Sequence, residues 1–276
     1  MKNLTEREII QLLVKQFGTK TGVPLDFDDD VAALPLSPRE WIIIKADMLV
    51  ASTDVPAGMS LREAARKAVV ATVSDFAAKG VRPRALMVSL GLPGPAKKET
   101  VRQIAKGLQQ ASREYDCKII GGDTNQAEDL VIDIAGVGIT DPKRLVQRNG
   151  AKPGDIVAVT GPFGRPAAGL RILLSGSKRD HARFPSLVRA VLHPMARLRE
   201  GMELARTGAV TSSIDSSDGL AWSLYEIARA SRVHIEINQI STDQSVLEYA
   251  RKKKMPATKL ALYGGEEYEL VTTIKP

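Results

Sequence analysis

A mixed α/β (α+β) fold in two halves is predicted by this 276-residue sequence, and three observations carry the prediction. Short apolar runs of strand character interleave with segments of helical periodicity on both sides of residues 141–155. That stretch holds Pro142, Gly150, Pro153 and Gly154 without periodicity, as a connection would. With 43% apolar and 26% charged residues, the chain can build both a core and a solvated surface, which excludes disorder. The length suits two ordinary domains, 1–140 and 141–276.

The elements follow in order. Thr5 and Glu8 form a capping-box pattern ahead of Ile9, Ile10, Leu13 and Phe17, and Gly18 stops that helix. Residues 41–50 form a β-rich apolar run interrupted by Asp47, and 85–92 a second one closed by Pro93-Gly94. Between them Ser60 and Glu63 open a helix whose apolar positions recur at helical spacing to Phe76, before Gly80. A helix at 97–115 precedes strands at 118–120 and 130–139, with Gly121-Gly122-Asp123-Thr124 read as a turn. The second half is expected to hold strands at 156–160, 233–237 and 268–274, and helices at 166–175, 186–206, 219–230 and 242–253.

Several function classes are excluded. No apolar run approaches the ~20 residues that span a bilayer, and the N-terminus lacks a signal-peptide core, so no membrane association and a cytoplasmic location are expected. Cys117 is the single cysteine and is read as a small buried hydrophobe. Aromatics amount to 4%, which argues against base-stacking surfaces. The net charge of +7 falls in residues 141–276, where the only basic run, Arg251 to Lys254, suits a helix C-terminus; nucleic acid is not an expected partner.

Neither a P-loop nor a dinucleotide-binding glycine motif occurs, and His181, His193 and His234 lack metal-ligand spacing. What stands out is aspartate where regular structure stops: Asp28-Asp29-Asp30, Asp47, Asp75, Asp123, Asp215 and Asp218. If these converge they must share protons or bind hard cations, and Mg²⁺ among several carboxylates implies a polyphosphate ligand. Local readings compete. Asp75 can pair with Lys79 four residues on, Asp123 can form a turn, and Ser217 or Asp218 can cap a helix. Asp47, inside an apolar strand pattern, needs a partner or a metal. Gly121-Gly122 and the Ser217-Asp218-Gly219 helix start allow phosphate to approach backbone N–H groups, and Arg148 offers a charged fork.

Taken in order, these segments resemble the thiamine-monophosphate kinase family, of the superfamily that includes aminoimidazole ribonucleotide synthetase and selenophosphate synthetase. The matching stretches are Asp29 to Ala32, Ala46 to Val50, Val73 to Gly80, Gly121 to Thr124, Arg148 to Asp155, Asp215 to Leu220 and Gly264 to Leu270. The resemblance implies a two-domain aminoimidazole ribonucleotide synthetase-like fold whose N-terminal sheet pairs across a homodimer. It also implies ATP-dependent phosphorylation of thiamine monophosphate by direct in-line transfer with several Mg²⁺ ions. Carried over, Asp29, Asp47, Asp75, Asp123, Asp215 and Asp218 are metal ligands; Gly122, Asp123, Arg148 and Ser217 contact ATP; Glu266 lies at the thiamine end.

The chain departs from the family pattern in places. Lys45-Ala46 stand where hydroxyl residues are common, Glu267 where Asp is usual, and Asp54 where many relatives have a substrate-contacting His. A carboxylate at 54 is expected to face the cationic thiazolium. Relatives continue past the last strand to an aromatic that stacks on thiamine, whereas this sequence stops at Pro276, so either the substrate pocket lacks that piece or it is closed differently here. On residues alone, another ATP-using enzyme of the superfamily, a Mg²⁺-dependent phosphohydrolase and a polyanion-binding protein remain open.

Overall fold

A computed structural model describes residues 4–18, 22–25, 27 and 29–276. The first half contains α1 (Glu6–Phe17), β1 (Ala32–Ser37), β2 (Glu40–Val50), α2 (Ala51–Asp54), α3 (Leu61–Ala78), β3 (Pro83–Pro93), α4 (Lys98–Glu114), β4 (Lys118–Ala127) and β5 (Val131–Thr140). After a short 3₁₀ turn follow β6 (Ile156–Val159), α5 (Arg165–Ser175), α6 (Lys178–Arg183), α7 (Pro185–Leu192), α8 (Leu198–Thr207) and β7 (Val210–Asp215). The last elements are α9 (Leu220–Ser231), α10 (Gln244–Lys252), α11 (Ala257–Tyr263) and β8 (Leu270–Ile274). The fold is mixed α/β, and none of its described helices is long and apolar enough to cross a membrane.

Both expected capping boxes form: Thr5 and Ser60 accept from the N–H groups of Glu8 and Glu63, whose carboxylates return to the cap. The first five strands make one sheet in the order β1-β2-β5-β3-β4, antiparallel except for the β3–β4 pair. One face of this sheet is covered by α3, with α4 packed beside it, around Val69, Val73, Leu86, Ile104, Ile132 and Ile134, all 1% exposed or less. The other three strands form a small antiparallel sheet, β6-β8-β7, backed by Leu220, Leu224 and Ile227 of α9.

The halves share a core. Leu198 of α8 and Leu270 of β8 belong to the same apolar cluster as α3. A Cβ at Gly201 would stand 2.0 Å from the Ala77 carbonyl oxygen, so α8 packs backbone-close on the end of α3. That docking sets the C-terminal ends of β7 and α3 side by side.

Three expectations are corrected. The Gly121 to Thr124 segment is not a turn but lies within β4, parallel to β3. Gly122 makes this possible: at φ +155°, a Cβ there would sit 1.8 Å from the Val88 oxygen. The helix expected over 186–206 is two, α7 and α8, because Pro194 supplies no N–H and disfavours helix at His193 before it. Residues 233–237 form no strand; Val233 and Ile235 pack on the α9 cluster without a ladder.

Candidate active site

Strand alternation puts the first charges in place. Along β2, Ile43 and Leu49 are buried against the helical layer, and Lys45 and Asp47 lie between them on the same face, while Ile44 and Met48 point outward. On α3, Lys67, Ala71 and Asp75 fall four residues apart on the stripe that faces β2. The two elements meet in an ion pair, Lys45 Nζ to Asp75 Oδ2 at 2.9 Å.

The second half contributes the end of β7 and the loop after it. Asp215 closes the strand, and Ser216 to Gly219 lead into α9. This loop is fastened to another: the Glu266 N–H donates to the Ser217 oxygen at 2.6 Å, and the Tyr268 N–H to the Ser216 oxygen at 3.0 Å. Glu266 and Tyr268 both hold positive φ, 62° and 52°, which is the backbone cost of this clasp.

One carboxylate oxygen each from Asp30, Asp75 and Asp215 lies within 4.8 Å of the others, and all three residues are buried. Burial, and then the Asp30 charge, push the Asp215 carboxyl up to about 7. Burial, and then Asp215, raise Asp75 well above the usual carboxylate range despite Lys45. Burial also raises Asp47, with Lys45 opposing. Asp30 behaves differently: burial would raise it, but Lys79 and Arg148 outweigh that and hold it below the ordinary value. The set is therefore short of positive charge around Asp75 and Asp215, and its donors are all hard oxygens. Such a site fits a small divalent cation.

Lys79 and Arg148 anchor the other edge. The wholly buried Lys79 ammonium reaches Asp29 at 2.5 Å, Asp30 at 2.8 Å and the Ser213 carbonyl oxygen at 2.9 Å. Arg148 pairs with Asp30 and Glu226, and its backbone N–H donates to Asp29 Oδ2 at 2.9 Å.

Two cavities open on this group. The larger, about 720 Å³, runs past Asp29, Asp30 and Arg148 to Trp222, with Ile10 and Val14 of α1 on its wall. The smaller, about 380 Å³, is lined by Asp47, Asp54, Lys67, Glu266 and Tyr268. Lys45, Asp75, Asp215, Ser217 and Asp218 belong to both and form the seam between them. In the smaller cavity, Asp54 Oδ2 accepts from the Val50 N–H at 2.7 Å, and Lys67 pairs with Glu266 while donating to the Asp54 carbonyl oxygen at 2.8 Å.

Of the six aspartates that the family resemblance makes metal ligands, Asp29, Asp47, Asp75, Asp215 and Asp218 line one or both cavities. Asp123 does not. It lies exposed on β4 with Gly122, at the open edge of the sheet, and within this chain neither lines either cavity. In the Asp28 to Asp30 run, Asp30 rather than Asp29 joins Asp75 and Asp215, and Asp28 is outside the described residues. Asp75 takes Lys45 and not Lys79, because Lys79 is the C-cap residue, where the chain leaves the helix. Lys45, read only as a departure from the family pattern, and Lys67, Lys79 and Glu226 were not assigned to the site from sequence. The alternation Lys45-Ala46-Asp47 is the signal that puts the first beside a recognised aspartate. Cys117 is buried, and burial lifts its thiol to about 11, in keeping with a packing residue.

Residues 28–140 match the family model described as AIR synthase related protein, N-terminal domain. The chain is 39% identical to a thiamine-monophosphate kinase of Nitrosopumilus maritimus, over 100% of this chain and 84% of that protein. It is 40% identical to that of Pyrococcus horikoshii, over 99% and 84% respectively. Among solved structures, AaThiL complexed with AMPPCP and TMP superposes with a TM-score of 0.90 at 28% identity, covering 100% of this chain and 87% of that one. Thiamine monophosphate kinase from Aquifex aeolicus gives 0.87 at 28% identity, covering 100% and 90%. By identity and coverage along nearly its whole length, the chain belongs to the thiamine-monophosphate kinase family.

Proposed function

We propose that this protein transfers the γ-phosphoryl group of ATP to thiamine monophosphate, forming thiamine diphosphate and ADP. The observation that carries the reading is the seam. A donor in the larger cavity and an acceptor in the smaller meet at Asp75, Asp215, Ser217 and Asp218. Family membership supports it, as does the fold shared with a protein solved with AMPPCP and TMP.

Phosphoryl transfer asks the protein mainly to position two anions and to neutralise spread charge. In this reading Arg148 and the N–H groups at the start of α9 hold the nucleotide phosphates, with Ser217 beside them. Asp54 and Glu266 face the thiamine end, where a carboxylate favours the cationic thiazolium. Asp30, Asp75 and Asp215 would hold Mg²⁺, with Asp29, Asp47 and Asp218 around them; the bound metal supplies charge neutralisation on the phosphates. Attack by an acceptor phosphate oxygen needs no covalent phosphoenzyme.

The protein is further read as a homodimer. Ile44, Met48, Met87 and Ile139 are exposed on the sheet face opposite α3, an apolar surface that a second copy would cover. Asp123 and Gly122, on the open β4 edge, would then complete the ATP site with the dimer assembled, and residues 1–140 and 141–276 are taken as the two domains.

Incubation with Mg-ATP and thiamine monophosphate, followed by chromatography, tests the proposal. Thiamine diphosphate should accumulate with equimolar ADP. Release of free phosphate without the acceptor would instead mean a phosphohydrolase, and turnover with a different phosphorylated acceptor another activity.

A further inference from the structure

In the proposed reaction the phosphoryl group crosses from the larger cavity to the smaller. The larger is bordered by the cations Lys15, Lys45, Arg148 and Arg229, and the smaller by Lys45 and Lys67. Lys45 alone is common to both. Arg148 is committed to Asp30 and Glu226, and Lys67 to Glu266 and the Asp54 carbonyl. Lys45 has one protein acceptor among the described residues, Asp75, which leaves two of its three N–H bonds for a ligand at the seam. Its stem rises from the middle of β2, paired through the ladder to Gly136 and flanked by the buried Ile43 and Leu49, so the ammonium is held on a rigid element.

We propose that Lys45 is a catalytic residue whose ammonium contacts the phosphoryl group in transit, supplying beside Asp75 a tethered positive charge that a further divalent cation would otherwise have to provide. The inference rests on the kinase reading. The bond from Pγ to the ADP oxygen breaks as the bond from an acceptor phosphate oxygen to Pγ forms. That oxygen is already anionic, so no proton has to be removed, and the charge spread over the equatorial oxygens is what Lys45 opposes.

The test compares wild type, Lys45→Met, Lys45→Arg, and Lys45→Cys alkylated with 2-bromoethylamine, which rebuilds an ammonium of lysine length; the buried Cys117 is shielded from the reagent. Lys45→Met should lower kcat about 10²- to 10³-fold while both KM values stay within about threefold. The alkylated cysteine variant should recover most of that loss, and Lys45→Arg part of it. Mn²⁺ titration followed by electron paramagnetic resonance, without nucleotide, should show tighter or additional binding in Lys45→Met, because the vacated place beside Asp75 accepts a cation. An unchanged kcat in folded Lys45→Met, or a loss that alkylation of Lys45→Cys does not restore, overturns the proposal. So does a Mn²⁺ titration identical to wild type. A wild-type protein that makes no thiamine diphosphate fails the kinase reading instead, and the Mn²⁺ arm still decides whether Lys45 holds a cation's place.

Discussion

The Lys79 ammonium lies 2.8 Å from Asp30 Oδ2 with no solvent exposure of its own, at the end of the helix that supplies Asp75 to the site. The same ammonium reaches Asp29 and the Ser213 carbonyl, so it ties the loop before β1, α3 and β7 together under the cluster. Breaking a buried pair by removing one partner leaves an uncompensated charge, which costs about 3–5 kcal/mol. Lys79→Met should therefore lower stability by that order in urea unfolding at neutral pH. A loss under about 1 kcal/mol would show that Asp29 and Asp30 find other partners.

The Asp215 carboxyl gives a pH dependence with a definite sign. Its folded value, about 7, stands above the ordinary 3.8, so between those values the folded protein holds a proton that the unfolded chain has lost. Stability from this group is complete below pH 3.8 and drains away as pH rises through 7. In metal-free protein, Asp215→Asn should flatten that decline and raise the melting temperature at pH 8 by about 2–4 °C, corresponding to ~1 kcal/mol. Thermal melts across pH 5 to 8 in the presence of a chelator check this, and a variant that melts below wild type at pH 8 contradicts it.

Divalent cation should act on the same group from the other side. A ligand that binds only the folded state stabilises it in proportion to the logarithm of its concentration. Adding Mg²⁺ at neutral pH should raise the melting temperature progressively, and Asp75→Asn should remove most of the rise. An equal rise in both proteins would place the metal elsewhere.

Gly122→Ala probes the β3–β4 edge. The added Cβ would meet the Val88 backbone at 1.8 Å, so β4 must move or unpair. The variant should lose about 2 kcal/mol or more of stability and exchange the amide hydrogens of β4 faster. Unchanged exchange in β4 would show that the strand shifts without cost.

Much of the fold was legible because local signals and burial agreed. The capping boxes at Thr5 and Ser60 marked helices that form, and the apolar run around Asp47 marked β2. The candidate site was legible where an aspartate ended an element, as at Asp215, or stood in its last turn, as at Asp75. It was illegible where register decided. Three consecutive aspartates do not reveal that the third faces the cluster, and the i,i+4 spacing of Asp75 and Lys79 suggested a pair that the helix end prevents. Gly121 to Thr124 looked like a turn because a glycine pair usually makes one. Only the approach of Val88 shows why the strand needs Gly122.

The central claim, that Asp30, Asp75 and Asp215 hold a divalent cation against nucleotide phosphates at the seam of two cavities, is tested most directly by calorimetric titration with AMPPCP. Wild type should bind the nucleotide at least about tenfold more tightly with Mg²⁺ than in chelator, and Asp75→Asn should lose that difference. Equal affinity with and without Mg²⁺ in the wild-type protein would contradict it.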